Sequence, residues 1–330
     1  LYRFSLAESP WVWLPTAGRT GGPAIVCDLT SLATTPALRT QASVFDGTQE
    51  RINFGFWMKL SGAPVANASI FEMLNAAGTV GWRTRVFPNG ALRADNVGAT
   101  AGNSISPISD GEWHWVEMTV GAAIGTPSIG YIDSVLQWNT TVPGVPSVTP
   151  SWAQFQFVGV PGFVLTIDDV SAFNNDSGYP QTADFPLGPS IITAHRPTVD
   201  STDFHQFDRS TGGSNAALVR EQVLNTNNWV QSDVAANQDL YDYDTVIPTA
   251  PAPDKIHTVM VSTQLRNPDI GSIDFSLLTR SGVTVGAGTS QTVTLARSCK
   301  QSSFPLDPAT SVEWSAASLN ESQFGIRCDG

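Results

Sequence analysis

Two glutamates, a histidine and two tryptophans crowd into the run ISDGEWHWVEMTV, residues 108–120. Glu112 and Glu117 are the residue type of glycoside cleavage, where one carboxyl protonates the leaving oxygen and a second attacks or activates water. His114 between them is the side chain most often used as a general base near neutral pH. The spacing opposes this chemistry. Side chains alternate across a strand, so Trp113, Trp115, Glu117 and Thr119 share one face, while Glu112, His114, Val116, Met118 and Val120 share the other. Glu112 and Glu117 therefore point to opposite sides, and none of the eight glutamates falls in an E-x-D-x-x-E array on one strand face. The run reads as a strand buried on both faces toward one end, fed by an Asp110-Gly111 turn, with Glu112 and His114 near its mouth. Its role is architecture.

Other chemistry-bearing residues are sparse. In QDLYDYDT, residues 238–245, Tyr241 and Tyr243 offer rings that could stack on sugar faces beside carboxylates that accept hydroxyls. Trp138 and Trp152, with Trp229, lie close to loop signals and are further stacking candidates; core packing is the competing role for each. His195, His205 and His257 lack the context of a nucleophile elbow, and no phosphate-binding or dinucleotide glycine fingerprint is present. Cys27, Cys299 and Cys328 are odd in number, with no metal-ligand spacing. Free thiols are expected, and a Cys299–Cys328 bridge is the alternative. Asn-x-Ser/Thr sequons at Asn67, Asn139, Asn175 and Asn320 would mark surface loops only in a secreted protein.

The chain of 330 residues suggests two domains of ordinary size. Charged residues at 14 % and hydrophobic residues at 41 % exclude disorder as a global description. Seventeen Lys and Arg against 29 Asp and Glu give a net charge of −12, and no basic stripe appears to neutralise phosphates or anionic lipid. Nucleic-acid binding is thus disfavoured, as is an anionic membrane surface. No apolar run is long enough for a spanning helix, which leaves no expectation of membrane insertion. The opening twenty residues lack the basic-then-apolar order of a secretory signal.

These residues must be positioned by strands. Short runs rich in Val, Ile, Phe, Trp and Thr, broken by Gly, Pro, Asn and Asp, recur along the chain: RINFGFWMKL, GWRTRVF, WHWVEMTV, SIGYIDSVLQW, AQFQFVGV and LTIDDVSAF, then ALVREQV, TVMVSTQL, IDFSLLTR and QTVTLA. Many strands at short spacing imply sandwiches. FPNGAL carries Asn89-Gly90, a strong hairpin signal. Short helices are expected at TSLATTPAL and at DPATSVEWSAASLN; in the latter, Asp307 is placed to cap a turn opening on Pro308. Residues 174–189 have linker composition. The expected architecture is all-β, with domains at 1–183 and 184–330.

Five elements in order, FGFWMKL, GWRTRVFPNGALRADN, DGEWHWVEMTV, GYIDSVLQW and TIDDVSAFNN, resemble the laminin-G/concanavalin-like jelly roll over residues 1–175. Asp110, Gly111, Trp113, His114 and Val116 match a DG-x-WH-x-V strand. Tyr131 and Asp133 match a Y-x-D strand, with Ser134 where a Gly is usual. Ile167, Asp168, Asp169 and Val170 match the closing strand. Laminin-G-type domains often hold a calcium ion at the rim, so the resemblance offers one of the Asp168-Asp169 doublet as a ligand, with Asp133 and Asp95 as co-ligands. The competing reading is a solvent-facing pair at a strand end and no cofactor. Asp133 and Asp168 are the candidate metal residues. No other cofactor is expected.

Residues 184–328 resemble the carboxy-terminal domain of a tailed-bacteriophage virion protein family, through Phe185, Leu187, Gly188, Pro197, Phe207, Asp269, Gly271, Asp307, Pro308, Thr310, Trp314, Asn320, Phe324 and Gly325. The chain departs from that family at its beginning, which lacks the usual aromatic opening. This resemblance implies a second, smaller β-sandwich and a non-enzymatic accessory subunit of the capsid or tail. It further implies assembly in the host bacterial cytoplasm, other virion proteins as partners, a homo-oligomer such as a trimer, and adhesion to host-surface glycan. A secreted carbohydrate-binding module and a glycan depolymerase are the alternatives.

Overall fold

β-Branched and aromatic side chains pack well on a pleated, half-buried surface, and the runs rich in them form strands. The computed structural model describes the chain except residues 1–3, 6–10, 20–23, 31–35, 41–50, 76, 97–98, 122–126, 142–151, 175–185, 221–226, 245–254 and 270. The chain is all-β, a jelly-roll sandwich followed by a smaller β-sandwich.

It divides into two compact units, residues 1–192 and 193–330. The first contains β1 (Phe4–Ser5), β2 (Trp11–Leu14), β3 (Ala24–Asp28), β4 (Ala37–Thr40), β5 (Arg51–Leu60), β6 (Ala68–Asn75), β7 (Val80–Val86), β8 (Ala91–Asn96), β9 (Ala99–Pro107), β10 (Trp113–Gly121), β11 (Pro127–Ile132), β12 (Val135–Thr141), β13 (Trp152–Val158) and β14 (Val164–Asn174). They make two seven-stranded antiparallel sheets, ordered β1-β4-β13-β6-β7-β8-β9 and β12-β11-β10-β5-β14-β3-β2.

Alternation turns one face of each sheet inward. From the first come Leu38, Phe155, Phe157, Phe71, Trp82 and Leu92, and from the second Phe54, Phe56, Met58, Val116, Met118 and Val120, all fully buried. Phe54 meets Phe71 edge-on at 4.8 Å, and Phe56 meets Phe157 at 5.1 Å. Burying each such ring contributes about 1.5–3 kcal/mol, before the smaller gain from ring geometry. The Asn89-Gly90 hairpin forms between β7 and β8, with Gly90 at φ 80° and its N–H donating to the Phe87 carbonyl.

The second unit contains β15 (Pro197–His205), β16 (Asp208–Arg209), α1 (Asn215–Val219), β17 (Val230–Gln231), β18 (Gln238–Tyr243), β19 (Val259–Leu265), β20 (Ile273–Ser281), β21 (Thr284–Ala287), β22 (Gln291–Val293), β23 (Ser298–Phe304), α2 (Ala316–Asn320) and β24 (Gln323–Cys328). One sheet runs β15-β18-β24-β20-β21, with β22 also on β20. The β19–β23 ribbon packs Val261 and Leu265 against its Phe275, Leu277 and Ile326. Gly325 lets β24 lie close beside β18, since a Cβ there would stand 1.9 Å from the Asp239 carbonyl oxygen.

Several expectations are corrected. ALVREQV does not begin as a strand: Ala217, Leu218 and Val219 lie in helix α1, which Ser214 caps by accepting from Ala217 N, and residues 221–223 lie outside the described residues. The boundary falls at 192/193, not 183/184, because residues 186–192 belong with the first unit. Within TSLATTPAL, Ala37 and Leu38 are in strand β4, where Leu38 fills the core; residues 31–35 lie outside the described residues. Asp307 caps a turn opening on Pro308, as expected, but the helix itself is confined to Ala316–Asn320. Its carboxylate accepts from Ala309 N and its carbonyl from Ser311 N, closing a tight turn, while Ser315 caps the five-residue α2 through a reciprocal box with Ser318. The three cysteines are free thiols.

Asp239 of β18 is 0 % exposed. Its Oδ2 accepts from the Tyr241 hydroxyl at 2.6 Å and from Asn215 Nδ2 at 2.9 Å, while Oδ1 has no partner among the described residues. Burial pushes this carboxyl from 3.8 up to about 6, against the pull of those two bonds. A carboxyl harder to ionise when folded contributes fully below the unfolded value, and that contribution is lost as pH rises through the folded one. Denaturant unfolding should therefore show stability falling between about pH 4 and pH 7, by up to ~3 kcal/mol. Asp239→Asn should flatten that slope and be the more stable protein at pH 7.

Candidate functional site

The outward face of the first sheet carries the densest array of polar side chains described in the first unit. Arg39 of β4, Gln156 of β13, Glu72 of β6, Arg83 of β7 and Asp95 of β8 are successive register partners, one row across five strands. Arg39 Nε donates to Gln156 Oε1 at 2.9 Å, and Gln156 Nε2 donates to Glu72 Oε2 at 2.7 Å. At the far end Asp95 is held by two guanidiniums, with Arg85 Nε and Arg93 Nε each donating at 2.6 Å. Both arginines also lie over the Phe87 ring, at 6.0 and 5.6 Å. Arg83 stands exposed in the middle of the row, with no hydrogen-bond or ion-pair partner among the described residues. Beside Glu72 and Gln156 the surface sinks into a depression of about 440 Å³, bordered by Asn67, Ser69 and Val158.

Arg39, Gln156, Glu72, Arg85, Arg93 and Asp95, tied to their neighbours, make a pre-oriented row of donors and acceptors around the unpartnered Arg83. Such a row suits an extended ligand rich in hydroxyls, because amide and guanidinium groups fixed before binding lose little rotamer freedom on contact. The signal was present in the sequence. RTR in GWRTRVF and RAD in ALRADN place arginines and an aspartate at period two, and the hairpin between them brings the pairs side by side. Partners on β4, β6 and β13 carry no such local mark.

The second sheet uses its outward face differently. Trp115, Glu117 and Thr119 point away from the core yet are 0 %, 1 % and 3 % exposed. The segment 186–192 crosses above them. Leu187 N and Gly188 N donate to the two oxygens of Glu117 at 2.6 and 2.9 Å; Trp57 Nε1 donates to the Ser190 carbonyl at 2.9 Å; Ile192 N donates to Asp169 Oδ1 at 3.1 Å. Burial raises the Glu117 and Asp169 carboxyls, the latter to about 6, against the bonds they accept. These anchors on three neighbouring strands are why the segment belongs with the first unit.

His114 sits at the mouth of β10 between two aspartates, Nδ1 2.7 Å from Asp133 Oδ2 and Nε2 3.0 Å from Asp110 Oδ1. Asp133 Oδ1 also accepts from Trp115 N at 2.8 Å. The motif residues Asp110, His114 and Asp133 are thus one clamp joining the turn before β10 to the β11–β12 hairpin. The Glu112 side chain is exposed, while its backbone N–H donates to Asp110 Oδ1 at 3.0 Å.

The candidate calcium ligands are not brought together. Asp133 lies beside Trp115, Trp115 pairs with Trp57, and Trp57 pairs with Asp168, so about 14 Å of sheet separates the two carboxylates at ~4.8 Å per strand. One calcium ion would need both within bonding distance. Asp168 instead accepts from Arg19 N and Asp169 N, and Asp95 belongs to the arginines. Among the described residues no three His, Cys, Asp or Glu side chains form a cluster that could hold a metal ion.

The stacking candidates fare similarly. Trp138 is core: its ring fills the space a Cβ on Gly130 would need, and its Nε1 donates to Ser128 Oγ at 3.2 Å. Tyr241 is buried on Asp239, and Tyr243 packs edge-on against Phe324 at 5.4 Å, because β18 is an interior strand and not an edge. Trp152 lies in β13, but its side chain is outside the described residues. Trp229 is 41 % exposed.

No family model matches the sequence, and no curated protein matches it. Among solved structures, an endo-β-1,4-glucuronan lyase from the fungus Trichoderma reesei aligns at 14 % identity and TM-score 0.41, over 52 % of this chain and 90 % of that one. A carbohydrate esterase from the Shiga toxin-encoding bacteriophage phi24B aligns at 14 % identity and TM-score 0.37, over 53 % and 90 %. The binding domain of botulinum neurotoxin DC aligns at 12 % identity and TM-score 0.34, over 87 % and 71 %. Likenesses this remote carry no inference about activity.

Two outcomes test the clamp. Burial pulls the His114 imidazole down, but its bonds to Asp133 and Asp110 outweigh that and hold it above 6.5. An NMR titration should find it there, and Asp133→Asn should bring it lower. Asp133 and Ser134 both adopt left-handed backbone, φ 51° and 68°, the turn in which Gly is favoured. Ser134→Gly should raise stability by about 1 kcal/mol in denaturant unfolding.

Proposed function

We propose that the protein is a non-enzymatic adhesion subunit of a tailed-phage virion that binds host-surface glycan through the outward face of the first sheet. The observation that carries the glycan reading is the Arg39–Gln156–Glu72–Arg83–Asp95 row, in register across five strands and with Arg39 and Arg83 exposed, beside an open depression. The virion reading rests on the sequence resemblance of residues 184–328. Several residues that carry it build the second unit: Trp314 and Phe324 share a buried cluster with Phe304 and Leu319, and Asp307 closes its turn.

Binding fits this face better than bond-breaking. Glu72 is hydrogen-bonded to Gln156 and Asp95 to two arginines, so each described carboxylate of the row is already engaged. The four histidines lie elsewhere, His114 on the other sheet and the remaining three in the second unit. Weak sugar contacts repeated in an oligomer, such as a trimer, would gain through avidity.

Glycan-array binding by the full chain should be positive, and Gln156→Ala together with Arg39→Ala should lower it about tenfold. Mass spectrometry of purified particles should find the chain in the virion. Incubation with host capsule or lipopolysaccharide should release no new reducing ends; their appearance would move the reading to a depolymerase.

A further inference from the structure

We infer that the glycan recognised by the first sheet is anionic, a chain carrying carboxylate or sulfate groups along its length, and that Arg83 is the residue that reads the charge. This rests on the proposal that the face binds glycan at all.

The distribution of charge is the first support. The protein as a whole is acidic, with net charge −12, a balance that repels polyanions. Six cationic side chains of the first unit are described: Arg19, Arg39, Lys59, Arg83, Arg85 and Arg93. Four of them stand on this one face. Of the nine described carboxylates of that unit, only Glu72 and Asp95 do so. A patch of opposite sign on an acidic body concentrates an anionic ligand locally and orients its approach.

Geometry is the second. A guanidinium presents five donors in a planar fork, and the four arginines use them unequally. Arg85 and Arg93 spend their Nε donors on Asp95, and Phe87 backs both planes, which fixes the pair and sets one carboxylate against two cations. Arg39 gives Nε to Gln156. Arg83, between Glu72 and Asp95 in the register, gives nothing to any described residue and is exposed. Its fork is the one the fold leaves open. Arg39 and Arg83 are three strands apart, about 14 Å at ~4.8 Å per strand. A chain lying across the strands therefore meets charge at exposed Arg39 and again at exposed Arg83, with half-buried Glu72 between them for hydroxyls and buried Gln156 bracing Arg39 and Glu72. A neutral polymer would leave that exposed cation unused, whereas a carboxylate or sulfate can take it bidentately.

The test is isothermal titration calorimetry of the full chain with three probes of equal length: oligogalacturonate for carboxylate, a sulfated dextran oligomer for sulfate, and maltohexaose as the neutral chain. At least one anionic probe should bind tenfold or more tighter than maltohexaose, and raising the salt from about 50 to 300 mM should weaken it severalfold, as screening requires. Whichever anionic probe binds better names the group. Arg83→Glu should reduce that affinity tenfold or more, and Arg83→Lys should restore part of it. Lys300→Glu, an equal charge change on the second unit, should leave it within twofold. Circular dichroism checks that each variant is folded. Equal affinity for neutral and anionic probes, or an Arg83→Glu variant that binds like the parent, overturns the inference while leaving glycan binding intact. Failure of every probe here together with a blank glycan array overturns the parent proposal as well.

Discussion

The pleat of a β-strand sends successive side chains to opposite faces, and the whole first unit depends on that constraint. Each sheet can give only half its residues to the space between the sheets. Leu38, Phe157, Phe71 and Ala94 lie one residue along from the Arg39–Gln156–Glu72–Arg83–Asp95 row, and they seal the core because the row points out. A single-residue slip in register would bury four guanidiniums and expose the phenylalanines. The core therefore holds the polar face in place, and no separate device is needed to do so.

The two outward faces show what the remaining half of the residues can be used for. On the first sheet polar side chains satisfy one another laterally, with Gln156 and Asp95 buried in the row and Arg39 and Arg83 left exposed. On the second, large aromatic surface at Trp57 and Trp115 is roofed by residues 186–192, and Glu117 is buried with them. A carboxylate in that position is tolerable because two backbone N–H groups reach it. Burial still raises its pKa, as it does for Asp169 and Asp239. Perturbed carboxyls in this protein therefore mark places where backbone or helix has been tied down, and the face that best suits a ligand lies elsewhere. Perturbation by itself is a poor guide to function here.

The cluster Glu112–His114–Glu117 illustrates the same point. His114 is clamped by aspartates at the rim, Glu117 is roofed on the outward face, and Glu112 is in solvent. Three residues of types associated with acid–base chemistry, two glutamates and a histidine, occupy three separate environments within six positions, because a strand distributes them so.

By itself, the sequence determined whatever depends on local period and turn chemistry. The strands, the Asn89-Gly90 hairpin, the two-sided burial of β10 and the all-β class follow from alternation and from the preferences of Gly, Asn and β-branched residues, which act over a few neighbours. Tertiary structure decided what depends on register between strands distant in the chain. It joined Arg39 to Gln156, 117 positions away, and Asn215 to Asp239 beneath α1. It also set Asp133, in the turn after β11, apart from Asp168, inside β14, and it turned Trp138 and Tyr241 inward. Composition could not foresee these, because which strand lies beside which is fixed by packing two whole sheets against each other and not by any short stretch of chain.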